Sequence, residues 1–95
     1  MTLLRKDRPA RRGDVWLRRV RHENTLYDPV SGSIHLLNDT AVAIWDLCDG
    51  ETTPSEMIAA VCEVSGLPRE VAAEDIDRIL RELDEAKLIA WMEDE

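Results

Sequence analysis

The stretch that decides the fold is Tyr27–Gly50, with the sequence YDPVSGSIHLLNDTAVAIWDLCDG. Near its beginning, Pro29 fixes its own φ and Gly32 accepts a positive φ, which together predict a tight turn. Ser33–Leu37 follows as an apolar run of strand length, bounded on one side by these turn residues. The stretch therefore predicts a short strand that begins at a tight turn.

A helix is predicted directly after this strand. Asn38 or Asp39 is a suitable N-cap, the helix covers about residues 40–49, and Gly50 lies just beyond its end. Its apolar residues recur at helical spacing, which indicates one buried stripe. The stripe consists of Ala41, Ile44, Trp45 and Cys48.

Two further strands precede the stretch and two further helices follow it. Asp14–Val20 alternates imperfectly as a first strand, and residues 25–27 form a short second one. Thr53-Pro54-Ser55-Glu56 combines a capping box with proline at the first helical position, and Gly66 ends that helix. A third helix begins at about Arg69 or Val71, ends at about Ala86 and carries an apolar stripe among many carboxylates.

The predicted order is therefore three strands and then three helices. The connections between the strands are too short for parallel crossovers, so the strands form an antiparallel sheet. The predicted fold class is α+β, and a sheet that faces three helices resembles a winged helix-turn-helix whose strands lead.

Composition and charge divide the 95 residues into two parts. Residues 1–21 hold eight basic and two acidic side chains, a balance of +6, whereas the remaining 74 residues sum to −14. This asymmetry predicts a basic, flexible arm over residues 1–12 and one acidic domain over residues 13–95. The arm is either a solvated tail or a contact for an acidic peptide, a protein or a nucleic acid.

No secretory signal and no apolar run of membrane-spanning length is present, so we expect a cytoplasmic chain with no membrane partner. Catalytic motifs, histidines at metal-ligand spacing and CxxC pairs are also missing from the sequence. We therefore expect neither catalysis nor a bound metal or cofactor. DNA binding by the helices is disfavoured, because the third helix is acidic and would be repelled by phosphate.

A binding module remains as the expected class. A short antiparallel sheet exposes an edge strand, whose free N–H and C=O groups can accept another chain. If the third helix lies beside that edge, strand and helix form a groove for an extended peptide.

At this point the sequence resembles a known family. The pattern Tyr27…Gly32…Leu37-Asn38-x-Thr40-Ala41…Trp45…Leu47…Asp49-Gly50, together with Asp75-Ile76-x-x-Ile79-Leu80-x-x-Leu83-x-x-Ala86-x-Leu88-Ile89, is similar to the PqqD-like family. The members are recognition elements, or peptide chaperones, for ribosomally synthesised and post-translationally modified peptides (RiPPs). The match covers about residues 14–91.

The resemblance implies a non-catalytic protein of natural product biosynthesis. Such a protein binds the leader of a precursor peptide as an antiparallel strand beside the third strand and the third helix. It then delivers the leader to a modifying enzyme, of radical SAM, cyclase or peptidase type. The residues that this implies as peptide-binding are Ser33, Ile34, His35, Leu36, Leu37, Asp75, Arg78, Ile79 and Glu82.

Several alternatives stay open. Strand parity separates Ile34 and Leu36 from His35 and Leu37 without showing which pair faces the core. Ile79 and Leu36 fit either core packing or peptide contact, and the contact interpretation predicts that Ile79→Asp weakens binding at unchanged stability. The chain is expected to be a monomer or a weak homodimer. Two other functions are a nucleic-acid-binding winged-helix regulator that uses the basic arm, and a structural subunit of a modifying enzyme complex.

Overall fold

The structure, a computed structural model, describes residues 6–93. Its elements are β1 (Lys6–Arg11), β2 (Trp16–Val20), β3 (Glu23–Asp28), β4 (Ser33–Leu37), α1 (Asp39–Leu47), α2 (Pro54–Ser65), α3 (Arg69–Glu85) and β5 (Ile89–Glu93). Strands β2, β3 and β4 form one sheet in that order, and its neighbouring strands are antiparallel. The predicted α+β class, with a three-stranded antiparallel sheet followed by three helices, is confirmed. The likeness to a winged helix-turn-helix stays a prediction.

Local capping signals determine where the helices begin and end. Asn38 accepts a hydrogen bond from the Ala41 N–H at the start of α1, with an Oδ1–N distance of 2.8 Å. Thr53 and Glu56 form the predicted capping box at the start of α2, and Gly66 follows its end with φ of 74°. Helix α1 ends two residues earlier than the predicted residue 49. Among the residues described, no helix is long and apolar enough to cross a membrane.

The core lies between the sheet and the three helices. The predicted stripe of α1 is buried along its whole length, and so is the apolar stripe of α3. The side chains that form this core include Leu26, Ala41, Ile44, Trp45, Cys48, Met57, Ile76, Ile79, Leu80, Leu83, Leu88 and Ile89. Burial of this continuous surface is the main stabilising term for the domain.

The N-terminal segment differs from the flexible arm that was predicted for residues 1–12. Residues 1–5 lie outside the described part, but Lys6–Arg11 forms β1 and pairs antiparallel with β5. Pro9 and Arg11 also bond to the segment after α1, through Gly50 N–Pro9 O at 2.9 Å and Arg11 N–Cys48 O at 2.8 Å. The described part of the arm is therefore an integral strand.

Two arginines explain why this basic segment docks on the domain. Arg11 Nη1 donates to the carbonyl oxygens of Trp45 and Asp46, at 3.1 and 2.7 Å, and so supplies a cation at the negative end of α1. Arg12 pairs with the buried carboxylate of Asp28 at the end of β3, with an Nη2–Oδ1 distance of 3.0 Å. These charges stabilise contacts within the domain, although the sequence pattern suggested a free arm.

Candidate functional site

The edge of β4 that faces away from β3 is the first component of the candidate site. β4 pairs with β3 from Asn24↔Leu37 to Asp28↔Ser33. Because the sheet order is β2–β3–β4, its opposite edge has no strand partner in the part of the chain that the structure describes. A row of backbone N–H and C=O groups on such an edge can pair with an additional strand.

The register of β4 shows which of its side chains face the core. His35 lies opposite Leu26, which is fully buried, and both His35 and Leu37 are half-buried. Ile34 and Leu36 are 66% and 68% exposed on the other side of the sheet. Leu36 is therefore not a core residue, and the inward side of β4 is the one that carries His35 and Leu37.

A buried amide holds the junction between β4 and α1 in place. Asn24 Nδ2 on β3 donates to Leu37 O and to Asp39 Oδ1, each at 3.3 Å. Since α1 begins at Asp39 and is capped by Asn38, the amide joins the end of β4 to the first turn of the helix. The edge strand is thus tied to the rigid part of the domain, which favours a preorganised site.

A groove of about 580 Å³ runs between β4 and α3, and we call it the β4–α3 groove. This volume lies within the range of roughly 300–1,000 Å³ that is typical of small ligand sites. The residues that line it are Ile34, His35, Leu36, Leu37, Asn38, Ala41, Arg78, Ile79, Glu82, Leu83, Ala86 and Leu88.

The floor of the groove is apolar and belongs to the buried core. Ala41, Ile79, Leu83 and Leu88 are buried members of the main core, and Ala86 packs against them. Ile79 is only 5% exposed, so its side chain stabilises the core and also forms part of the groove surface. This corrects the expectation that Ile79→Asp leaves stability unchanged, because it would introduce a carboxylate into the core.

Charged side chains lie along the α3 side of the groove. Arg78 forms ion pairs with Asp75 and Glu82, with N–O distances of 3.4 and 3.9 Å. All three side chains are at least 40% exposed, so each ion pair contributes only about 0–1 kcal/mol to the stability of the fold. Arg78 can therefore exchange these partners for a carboxylate or a backbone carbonyl of a bound chain.

Seven of the nine predicted site residues line this one groove. They are Ile34, His35, Leu36, Leu37, Arg78, Ile79 and Glu82. The other two lie beside it: the Ser33 N–H bonds to Ser31 Oγ within the turn, and Asp75 contacts Arg78. Whether the nine residues contact a peptide stays a prediction.

Five lining residues were not predicted, namely Asn38, Ala41, Leu83, Ala86 and Leu88. Two of them could have been found, because Leu83 and Ala86 lie four and seven positions after Ile79 and so share its helical face. The others join the groove through tertiary packing. Elsewhere in the described chain, no group of three or more His, Cys, Asp or Glu residues could hold a metal ion.

Comparison with known proteins places this geometry in context. A profile of the family described as Coenzyme PQQ synthesis protein D (PqqD) matches residues 23–89. Those residues include β3, β4, all three helices and every residue that lines the groove. No curated protein has a significantly similar sequence.

Two solved structures share the fold. TbiB1 in complex with the TbiA(beta) leader peptide has a TM-score of 0.75 and 22% identity, and the match covers 90% of this chain and 99% of that one. Lasso peptide synthetase B1 complexed with the leader peptide has a TM-score of 0.74 and 22% identity, with 85% and 95% covered. At this level of identity the two structures establish the architecture of the chain.

Proposed function

The chain belongs to the PqqD family, and from this membership we propose that it binds the leader segment of a ribosomally synthesised precursor peptide. The leader adds as an antiparallel strand to the free edge of β4 and lies in the β4–α3 groove. The role is non-catalytic, and the bound peptide is presented to a modifying enzyme or peptidase. The encounter takes place in the cytoplasm, where ribosomal products are released.

One observation carries this proposal: an edge of β4 that has no strand partner among residues 6–93 forms one wall of a groove whose floor is apolar. Main-chain hydrogen bonds from β4 would give affinity for any extended segment, whereas the floor would select apolar side chains. Because side chains alternate along a strand, every second residue of the peptide would enter the groove towards Ala41, Ile79 and Leu83. The remaining residues would lie beside Ile34 and Leu36. Both structures of similar fold contain a leader peptide, which supports leader binding by this chain.

Two basic residues of the N-terminal segment favour this proposal over nucleic-acid binding. Arg11 donates to carbonyl groups at the end of α1, and Arg12 is paired with Asp28. Cations that are engaged inside the domain are poor phosphate ligands, since phosphate binding would first have to break these contacts.

Calorimetry and hydrogen exchange with the precursor peptide encoded beside the gene test the proposal. We expect saturable binding with a negative heat-capacity change. Ordering of the peptide should cost roughly 2–5 kcal/mol of the interaction free energy. Hydrogen exchange should slow at the amides of β4 and should change little in α2. A precursor that lacks its leader is the matched control and should not bind. Absence of binding by every neighbouring precursor, or protection confined to α2, would contradict the proposal.

A further inference from the structure

The side of the β2–β4 sheet that faces away from the helices carries an exposed apolar surface next to the groove. The register places Trp16, Tyr27 and Ile34 in one row across the three strands, with Arg18, Thr25 and Leu36 in the next. Val20 and Glu23 lie opposite each other and complete the same side. We call these eight residues the outer sheet face. They lie on the side opposite Leu26, which is buried against the helices.

The outer sheet face is apolar, although it is open to solvent. Five large hydrophobic side chains share it, with exposed fractions of 61% for Trp16, 51% for Val20, 38% for Tyr27, 66% for Ile34 and 68% for Leu36. The rings of Trp16 and Tyr27 are in edge-to-face contact, with centroids 6.1 Å apart. Single exposed hydrophobic residues are ordinary, but adjacent ones bordered by polar groups mark protein interaction surfaces.

The charge beside this face indicates the chemistry of what covers it. Arg18 and Glu23 lie within the face, and Arg21 is exposed in the turn that follows β2. The chain as a whole has a net charge of −8, so the positive balance of two arginines against one glutamate is a local exception. A complementary surface would combine apolar side chains with carboxylates, which pair well with guanidinium groups.

A second copy of the chain fits this face poorly. A stable interface uses about 20–30 residues on each side, whereas the outer sheet face has eight. Symmetric contact through so small a face would also place two surfaces of net positive charge against each other, which disfavours a second copy. The face therefore fits a transient contact with a different protein.

The outer sheet face is continuous with the β4–α3 groove, because Ile34 and Leu36 belong to both. A strand added to β4 would place every second side chain next to these two residues, and so would extend the apolar surface by one strand. A protein docked there would contact the domain and its bound peptide at the same time.

We propose that the outer sheet face docks the enzyme that modifies the bound peptide, through an apolar enzyme surface bordered by carboxylates. The proposal rests on the proposed function for its peptide. Since the peptide strand enlarges the docking surface, enzyme and peptide bind cooperatively, and the coupling between them is reciprocal.

The test uses the full chain, the purified modifying enzyme encoded beside the gene, and the precursor leader. Trp16→Ser and Arg18→Glu alter the outer sheet face at exposed positions. The matched controls are Val64→Ser, which removes an 88% exposed residue of α2, and Arg69→Glu at an exposed position of α3. Biolayer interferometry measures enzyme affinity with and without leader, calorimetry measures leader affinity alone, and circular dichroism verifies folding.

We expect the leader to raise enzyme affinity about fivefold or more. Trp16→Ser and Arg18→Glu should each lower enzyme affinity at least tenfold and keep leader affinity within twofold of wild type, whereas both controls should change neither. The proposal would be overturned if both substitutions left enzyme affinity unchanged, or if the wild type did not bind the enzyme. Sedimentation that shows a dimer abolished by Trp16→Ser would overturn it in favour of a second copy. If the enzyme depends on Trp16 but the leader does not bind, the proposed function fails and the docking surface stands.

Discussion

Arg12 and Asp28 form a two-pronged ion pair, with Nη1–Oδ2 and Nη2–Oδ1 distances of 3.0 Å each. The same guanidinium donates to Lys87 O at 3.0 Å, and the Arg12 N–H donates to Leu88 O at 3.0 Å. One residue therefore connects three parts of the chain: the segment after β1, the end of β3 and the turn after α3. This arrangement fixes the two-stranded β1–β5 sheet relative to the sheet that carries the groove.

The ion pair predicts a specific loss of stability in acid. Hydrogen bonds from Arg12, and then from the Val30 N–H, lower the pKa of Asp28 to about 2, below its ordinary value of about 3.9. The folded state thus holds this proton less tightly than the unfolded state, so the contribution is complete above about pH 4 and is lost as the pH falls towards 2. Melting temperatures recorded between pH 2 and 7 should fall less steeply with acid for Asp28→Asn, which should also be less stable at pH 7. Asp46→Asn, at an exposed position, serves as control, and equal slopes for all three proteins would contradict the prediction.

Filling the groove should block the peptide. Ala86 lines the β4–α3 groove at the C-cap of α3, and its φ of −80° allows a larger side chain there. We expect Ala86→Phe to weaken leader binding at least tenfold, measured by calorimetry, because the ring would occupy the space that the added strand needs. Ala59→Phe, at an exposed position of α2, adds the same ring and should bind normally. Normal affinity for Ala86→Phe would show that the leader binds elsewhere.

Two isoleucines of the groove should differ in their effect on stability. Ile79→Asp introduces a carboxylate at a site that is 5% exposed, and an uncompensated buried charge costs about 3–5 kcal/mol. Ile34→Asp makes the same change at a site that is 66% exposed, where the cost should be about 1 kcal/mol or less. Urea unfolding of both variants measures the difference. Equal losses would mean that Ile79 does not belong to the core.

The two cysteines should differ in reactivity. Burial raises the pKa of the Cys48 thiol to about 12, so little of the nucleophilic thiolate is present near neutral pH. Cys62 is partly exposed, and neither cysteine is in a disulfide. Iodoacetamide at pH 8 should label Cys62 in the native protein and both residues in guanidinium, as read by peptide mass spectrometry. Rapid native labelling of Cys48 would contradict its burial.

Much of the fold follows from local signals in the sequence. Asn38, the Thr53–Glu56 box and Gly66 act over at most four residues, so their spacing along the chain reveals them directly. The pairing of β1 with β5 could not be predicted in this way. It joins opposite ends of the described chain, and the arginines of β1 obscure any alternation of apolar residues.

The candidate site also combines features that the sequence predicts with features that depend on tertiary packing. The resemblance to the PqqD-like family indicated Arg78, Ile79 and Glu82, and the edge position of Ser33–Leu37 followed from the strand order. The inward face of β4 depends on its pairing with β3, where His35 lies opposite Leu26, and strand parity alone contains no such information. Burial of Ile79 likewise results from the packing of α3 against the rest of the domain. Periodicity predicts an apolar stripe on α3, but it does not show how deeply each residue of the stripe is buried.

The separation of β1 from β5 along the chain also has a consequence for the order of folding. The β2–β3–β4 hairpins and the α2–α3 pair join neighbours in sequence, whereas closing β1 onto β5 requires a loop of almost the entire described chain. Loop-closure entropy makes such non-local pairing slow. We therefore expect the hairpins and the helix pair to form early and the β1–β5 sheet to close last. During native-state fluctuations that sheet should open first, while β4 and α3 keep their places.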